Sequence, residues 1–375
     1  MDFALTAAQL ERYEAVLGET RNRLADDAVS AADKWKTAAA LGLTGLCIPA
    51  DYGGGGLGAF DTALSLAAFG RGCPDTGLVF GVSAHLLAGA VAIRDFGSER
   101  LRRELLPGLA AGDLVAANAI TEDEAGSDTS RLSVSAHRIG DSYVINGEKS
   151  FVSNGPAADV LVTYATTAPD GGFLGISAFV VPAGHTGVRL GDPIRKMGLE
   201  GCQAGRVGFQ DCHVSEEYLL GGEGQGSAIF AHAMTWERAC LFATYIGMMD
   251  DQLERCVAHA RRRRQFGKPI ARFQAVSHRI AMMKQRLESA RLLMYRACWL
   301  IDQGAAEQTA AAALSKVAVS EAAVANSLDA IQIFGAQGYV VSGDVERYLR
   351  DSVPARLFSG TTEIQRDIIA REMGL

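Results

Sequence analysis

Missing from this 375-residue chain is any extended basic stretch: 36 Lys and Arg stand against 43 Asp and Glu, a formal charge of −7. That balance argues against nucleic acid as the main partner. The one like-charge run, Arg261 to Arg264, is short and lies inside a helical pattern, which by itself reads as a solvated helix face. Cysteines are seven and scattered (Cys47, Cys73, Cys202, Cys212, Cys240, Cys256 and Cys298), with no Cys-x-x-Cys and no histidine at metal spacing. A metal site is therefore not expected, and such thiols suit a reducing cytosol. The opening residues Met1 to Thr6 lack a basic segment followed by an apolar one, so no signal peptide is expected. The apolar run Leu78 to Ile93 is broken by Gly81, Ser83, His85 and Gly89 and predicts a buried core helix rather than a membrane span, with His85 a satisfied core histidine. No Gly-x-Gly-x-x-Gly follows a strand pattern, which excludes a Rossmann-type cradle. The glycine run Gly53 to Gly56 has no Gly-Lys-Ser/Thr after it and reads as a loop, with phosphate binding the lesser alternative.

Hydrophobic residues at 48% and charged residues at 21% are ordinary for a globular chain, and three regimes divide it. Residues 1–117 show apolar positions three and four apart, as at Leu10, Tyr13, Val16 and Leu17, and predict an all-α domain. Residues 118–222 switch to short alternating runs and predict a small β-barrel or sandwich. Strand candidates are Val160 to Thr163, Ile176 to Val181 and Val207 to Phe209. Within Tyr143 to Val152, Asn146-Gly147 predicts a hairpin turn. Residues 223–375 are helical, with stops at Gly304 and Gly335, and predict a four-helix bundle. The fold class is α+β.

Several separated motifs, in order, resemble the acyl-CoA dehydrogenase family over nearly the whole chain. Asn118-Ala119-Ile120-Thr121-Glu122-Asp123-Glu124-Ala125-Gly126-Ser127 is similar to the family segment that wraps the flavin and reaches the acyl thioester, with Asp123 in place of the usual proline. Phe151-Val152-Ser153-Asn154-Gly155 resembles Trp-Ile-Thr-Asn-Gly, and Lys196-Met197-Gly198-Leu199 resembles a further motif of the β region, with Glu200 where Arg is frequent. Arg263-Arg264-Gln265-Phe266-Gly267-Lys268 matches Arg-x-x-Phe-Gly-Lys. The resemblance implies FAD as cofactor, held by Asn118, Ile120, Thr121, Gly126, Ser127, Phe151, Val152, Ser153, Arg263, Phe266, Phe273, Gln274, Gln332, Ile333, Gly335, Thr361 and Glu363. In the family some of these reach a neighbouring subunit's cofactor. A homo-oligomer, a dimer of dimers, is implied with it.

The implied reaction removes the α-proton of an acyl thioester to a base while the β-hydrogen leaves as hydride. Many members carry the base in Tyr-Glu-Gly-Thr-x-x-Ile-Gln-Arg, but this chain reads Phe358-Ser359-Gly360-Thr361-Thr362-Glu363-Ile364-Gln365-Arg366, with Ser359 in the base's place. Glu237, in Met234-Thr235-Trp236-Glu237-Arg238-Ala239, stands where other branches carry theirs and is the candidate base. From its neighbours alone it reads first as a surface Glu paired with Arg238, the commoner fate of such a pair, and only second as a base. The resemblance also implies Ser127, Arg238 and Gly360 as substrate-binding residues. Thr235-Trp236-Glu237, Met294 to Trp299 with Asp302-Gln303-Gly304, and Phe358 to Thr361 resemble the branch that oxidises prolyl groups on carrier proteins in pyrrole antibiotic pathways. That implies a cytoplasmic enzyme of secondary metabolism acting on a carrier-tethered acyl or aminoacyl group. Open beside it are a short- or branched-chain acyl-CoA dehydrogenase and a flavin monooxygenase. Electrons would pass to O2 or to an electron-transferring flavoprotein.

Overall fold

The computed structural model describes residues 4–26 and 29–375. Six helices come first: α1 (Ala7–Arg23), α2 (Ala31–Ala40), α3 (Ala59–Gly72), α4 (Thr76–Ala84), α5 (Val91–Phe96) and α6 (Glu99–Ala111). Their starts follow local chemistry. Thr6 and Gln9 form a capping box on α1, and Ser30, Asp75 and Ser98 cap α2, α4 and α6. α3 lacks a side-chain cap of its own. The Asp302 carboxylate supplies one from far along the chain, accepting from Ala59 N at 2.6 Å and Phe60 N at 2.9 Å. A carboxylate there also meets the positive end of the helix dipole.

α4 continues through a π-helical stretch, His85–Ala90, into α5. The run Thr76–Phe96 is apolar enough to cross a bilayer but is wholly interior. His85 is a satisfied core residue, as expected. Its Nδ1 accepts Ala116 N at 2.9 Å and its Nε2 lies 3.2 Å from Leu109 O. Burial holds its pKa down to about 4, so the ring is a neutral strut between helix and sheet.

The middle sheet has β1 (Ala116–Ala119), β2 (Ser135–Ile139), β3 (Ser142–Ser153), β4 (Val160–Thr166), β5 (Ile176–Pro182), β6 (Val188–Leu190), β7 (Ala204–Ser215) and β8 (Leu219–Leu220). Strand order is β6-β7-β3-β2-β4-β5-β8, with β1 parallel to β4. Tyr143, Ile145, Leu161, Phe179, Val181 and Val214 fill its interior. The hairpin predicted at Asn146-Gly147 is not there. Those residues lie inside β3, and the turn is Gly140-Asp141, because Ile139 already pairs with Ser142. Gly147 spends its positive φ (129°) opposite a bulge on β7, where Asp211 is the extra residue. The Asn146 side chain stitches that bulge, accepting Asp211 N at 2.8 Å. A residue pair that tolerates unusual φ marks a bulge as readily as a turn.

The remaining helices are α7 (Gly226–Trp236), α8 (Ala243–Arg262), α9 (Gln274–Asp302), α10 (Gln308–Phe334), α11 (Ala336–Tyr339), α12 (Val345–Ser352) and α13 (Thr362–Glu372). A small ribbon, β9 (Arg264–Gln265) with β10 (Lys268–Pro269), follows α8. α10 packs against α8, α9, α12 and α13. α3 lies on α8 at very close range, since a Cβ on Gly247 would stand 1.9 Å from Ala67 O and one on Gly70 2.2 Å from Thr244 O. One continuous core therefore runs from the first helices into the bundle.

Candidate active site

Between α7 and α8 the helix widens into a π-helical segment, Glu237–Leu241. Such inserts cluster at functional sites because the extra residue re-aims the side chains around it. Glu237 and Arg238 are only 7% and 8% exposed, which rules out the solvated Glu–Arg pair. The loop 358–361 meets them. Ser359 and Gly360 take successive left-handed conformations (φ 56° and 84°), and this turns the Ser359 hydroxyl onto Glu237 Oε1, to which it donates. The Ser359 carbonyl accepts Arg238 Nε at 3.0 Å and Gln365 Nε2 at 3.1 Å, while Thr361 caps α13. Behind the loop, the Phe358 ring packs 4.8 Å from Phe80 and 5.3 Å from Phe242.

The electrostatics follow from burial. Desolvation pushes the Glu237 carboxyl above the ordinary carboxylate range, opposed in turn by the Ser359 hydroxyl, Arg238 and Lys316. Arg238 is held down to about 10, chiefly by burial, with Glu237 opposing. Tyr164 of β4, fully buried, has its phenol raised by burial and then by the Glu237 charge. A carboxylate so placed is a stronger base than one in water.

A second group gathers on the sheet. Ser150 N donates to Thr121 O at 2.7 Å, which ties Asn118, Ile120 and Thr121 to the strand bearing Phe151 and Ser153. Beneath them Lys149 Nζ donates to Glu122 Oε1 at 2.7 Å and Ile120 O at 3.1 Å. Asp123, in the proline's place, accepts Ser150 Oγ and Arg206. A bulge between Lys149 and Val152 forces Phe151 to φ 54° and leaves it 64% exposed. A bulky aromatic held at positive φ and turned out of the core is a strained arrangement, found chiefly where a ligand uses it. Asn118 Oδ1 is buried with no hydrogen-bond partner among the described residues. An outward ring, an orphan amide oxygen and the hydroxyls of Thr121 and Ser153 fit a flat heteroaromatic cofactor such as a flavin. Gly126 and Ser127 are exposed just beyond. The Val152 side chain lies in the sheet core, so only its backbone is available to a ligand.

A third group lies where α8, α9 and α10 meet. Arg263 ends α8, Phe266 tips the ribbon at φ 49° and 91% exposure, and Phe273 and Gln274 open α9. The Phe266 and Phe273 rings meet edge to face at 6.0 Å, and His259 stacks on Phe334 at 4.2 Å beside Gln332 and Gly335. Ile333 is buried in a small cluster with Cys256 and Met283, so its expected part in cofactor binding falls to its backbone. Glu363 is exposed on the first turn of α13. Sequence reading missed Lys316 and Tyr164, although Lys316 falls four residues after Ala312 and three before Val319 on a buried helix face.

Family models for acyl-CoA dehydrogenases match three consecutive stretches: the N-terminal domain over residues 11–113, the middle domain over 117–212 and the C-terminal domain over 224–374. The chain is 53% identical over 345 residues to an L-prolyl-[peptidyl-carrier protein] dehydrogenase of Pseudomonas fluorescens, covering 92% of this chain and 90% of that one. It is 42% identical over 382 residues to the protein of the same name from a Serratia species, covering 100% and 99%. A solved structure of PigA with FAD and proline superposes with a TM-score of 0.97 at 42% identity, covering 100% of both chains.

Proposed function

The chain belongs to the acyl-CoA dehydrogenase family, and from that premise we propose that it is an FAD-dependent dehydrogenase of a prolyl thioester borne on a carrier protein. One observation carries the chemistry: a buried carboxylate, Glu237, held by Ser359 and flanked by Arg238 at the start of the widened helical segment. FAD, when bound, supplies the acceptor for the β-hydride. Glu237 takes the α-proton. Its raised proton affinity narrows the gap to the carbon acid, and the dry setting keeps water from competing for the proton. Ser359 and Arg238 hold the carboxylate and the loop in register, and Gly360 and Ser127 are assigned to the thioester. Phe151 and Ser153 with Asn118 and Thr121 take the flavin ring. Arg263, Phe266 and Gln332 face a neighbouring copy in a dimer of dimers, since Arg263 and Phe266 lie on an exposed projection. The carrier-bound prolyl group follows the two named relatives, with electrons passing to O2 or to an electron-transferring flavoprotein in the cytoplasm.

The test mixes purified yellow protein, without oxygen, with prolyl-loaded carrier proteins and with acyl-CoAs while the visible flavin band is followed. Bleaching by the prolyl carrier substrate is expected. In Glu237→Gln the bleaching rate falls by about 10²–10⁴-fold with flavin content unchanged. Bleaching at the wild-type rate in that variant refutes Glu237 as the base, and bleaching by acyl-CoAs alone refutes the carrier substrate.

A further inference from the structure

Lys316 lies on the interior face of α10 and is fully buried. Its ammonium has no hydrogen-bond partner among the described residues. A chain of this length placed only to fill space is cheaper as Met or Leu, because an unpartnered ammonium forfeits its hydration. Its charged neighbours come from three elements: Arg238 and Glu237 on the π-helical segment, Glu363 on α13 and Arg356 on the turn after α12. Its Nζ also stands 5.7 Å from the centroid of the Phe242 ring, the ring that packs on Phe358 next to Ser359. A cation thus sits behind both groups that hold the base.

We propose that Lys316 is a positioning residue for the dehydrogenation, its buried ammonium set on the helix that packs against the Glu237 segment and bracing the 358–363 loop through Phe242. The inference rests on Glu237 being the base. Burial drives that carboxyl toward its neutral form, and among the described residues Ser359, Arg238 and, last, Lys316 oppose the drift. Arg238 has its Nε committed to the Ser359 carbonyl. Lys316 is itself pushed down to about 8, chiefly by burial and then by Arg238, so it still carries its charge at neutral pH.

Lys316→Met keeps length and removes charge. The measurement is the pH dependence of kcat/KM on the loaded carrier, with flavin content and Tm alongside. The acidic limb is expected to move up by about one pH unit, at the low end of what a nearby opposite charge does. On the limb that is about a tenfold loss. The plateau is expected to stay within about twofold of wild type, with flavin content and Tm kept. An unmoved limb overturns the proposal, and so does a loss of the same factor at every pH with a lowered Tm, which is packing alone. Should Lys316→Met not fold, Lys316→Gln is read in the same way, and failure of both to fold also overturns it. A wild type inert to every thioester would sink the base and this residue together, whereas an active wild type with an unmoved limb sinks Lys316 alone.

Discussion

Lys149 is fully buried, and among the described residues its ammonium is the charge paired with Glu122, itself 4% exposed. Substituting Lys149→Met leaves that carboxylate with Ser133 N and Ser133 Oγ at 2.6 Å and Val134 N at 3.1 Å, but without a counter-charge. Removing one partner of a buried pair costs about 3–5 kcal/mol. Unfolding entropy near 2.1 cal/mol/K per residue scales to about 0.8 kcal/mol per kelvin here, so Tm should fall by about 4–6 °C. Because the pair holds segment 118–128 against the strand of Phe151 and Ser153, bound flavin should fall as well. Adding Glu122→Gln removes the stranded charge and keeps one acceptor oxygen for Ser133 N and Oγ, while Val134 N loses its acceptor, so part of the lost stability should return. Calorimetry and the ratio of visible to ultraviolet absorbance read both effects. A Tm loss below about 1 °C, or a double variant no better than the single, refutes the reasoning.

Ser359→Ala removes the hydroxyl that stabilises the Glu237 carboxylate, so the acidic limb of kcat/KM should move further up. The sign is fixed, because the lost hydrogen bond favoured the ionised base. Profiles measured on the same substrate decide it, and a limb moving down contradicts the geometry. Tyr164→Phe should leave stability unchanged or raise it by up to about 1 kcal/mol, since the phenol oxygen is buried with no partner among the described residues. A melt showing a clear loss would mean that the hydroxyl has a partner after all. Glu237→Gln should be more stable than wild type at neutral pH. A carboxyl whose folded pKa lies above its unfolded one costs stability once ionised, over the range above its ordinary value. Denaturant melts at pH 7 test this, and a lower midpoint in the variant argues against it.

Much of the layout was legible because it rests on local signals. Helix ends fell at Gly304 and Gly335, and the strand candidates lie within β4, β5 and β7. The Asn146-Gly147 turn failed because only Gly147 takes a positive φ, opposite a bulge at Asp211 on β7, and a glycine's freedom does not say in sequence whether a turn or a bulge uses it. Glu237 was found through a resemblance, since its neighbours fit a surface pair as well. Ser359 reads in sequence as an empty place, whereas it reaches across 122 residues to hold the base, a relation no local pattern encodes. Lys316 was legible in principle. A lysine at buried-face spacing in an alanine-rich helix breaks the pattern, and a break of that kind is where function is to be sought.

The cap that Asp302 places on α3 has a consequence for biosynthesis. The donor at residue 59 waits for an acceptor 243 residues downstream. At about 5–20 residues per second, the ribosome delivers it on the order of tens of seconds later. During that interval α3 starts without its side-chain cap while α1, α2, α4 and α6 already have theirs, and fragments ending before residue 302 are expected to be poor substitutes for the native N-terminal half. Chaperone occupancy on stalled nascent chains should drop once that aspartate clears the exit tunnel.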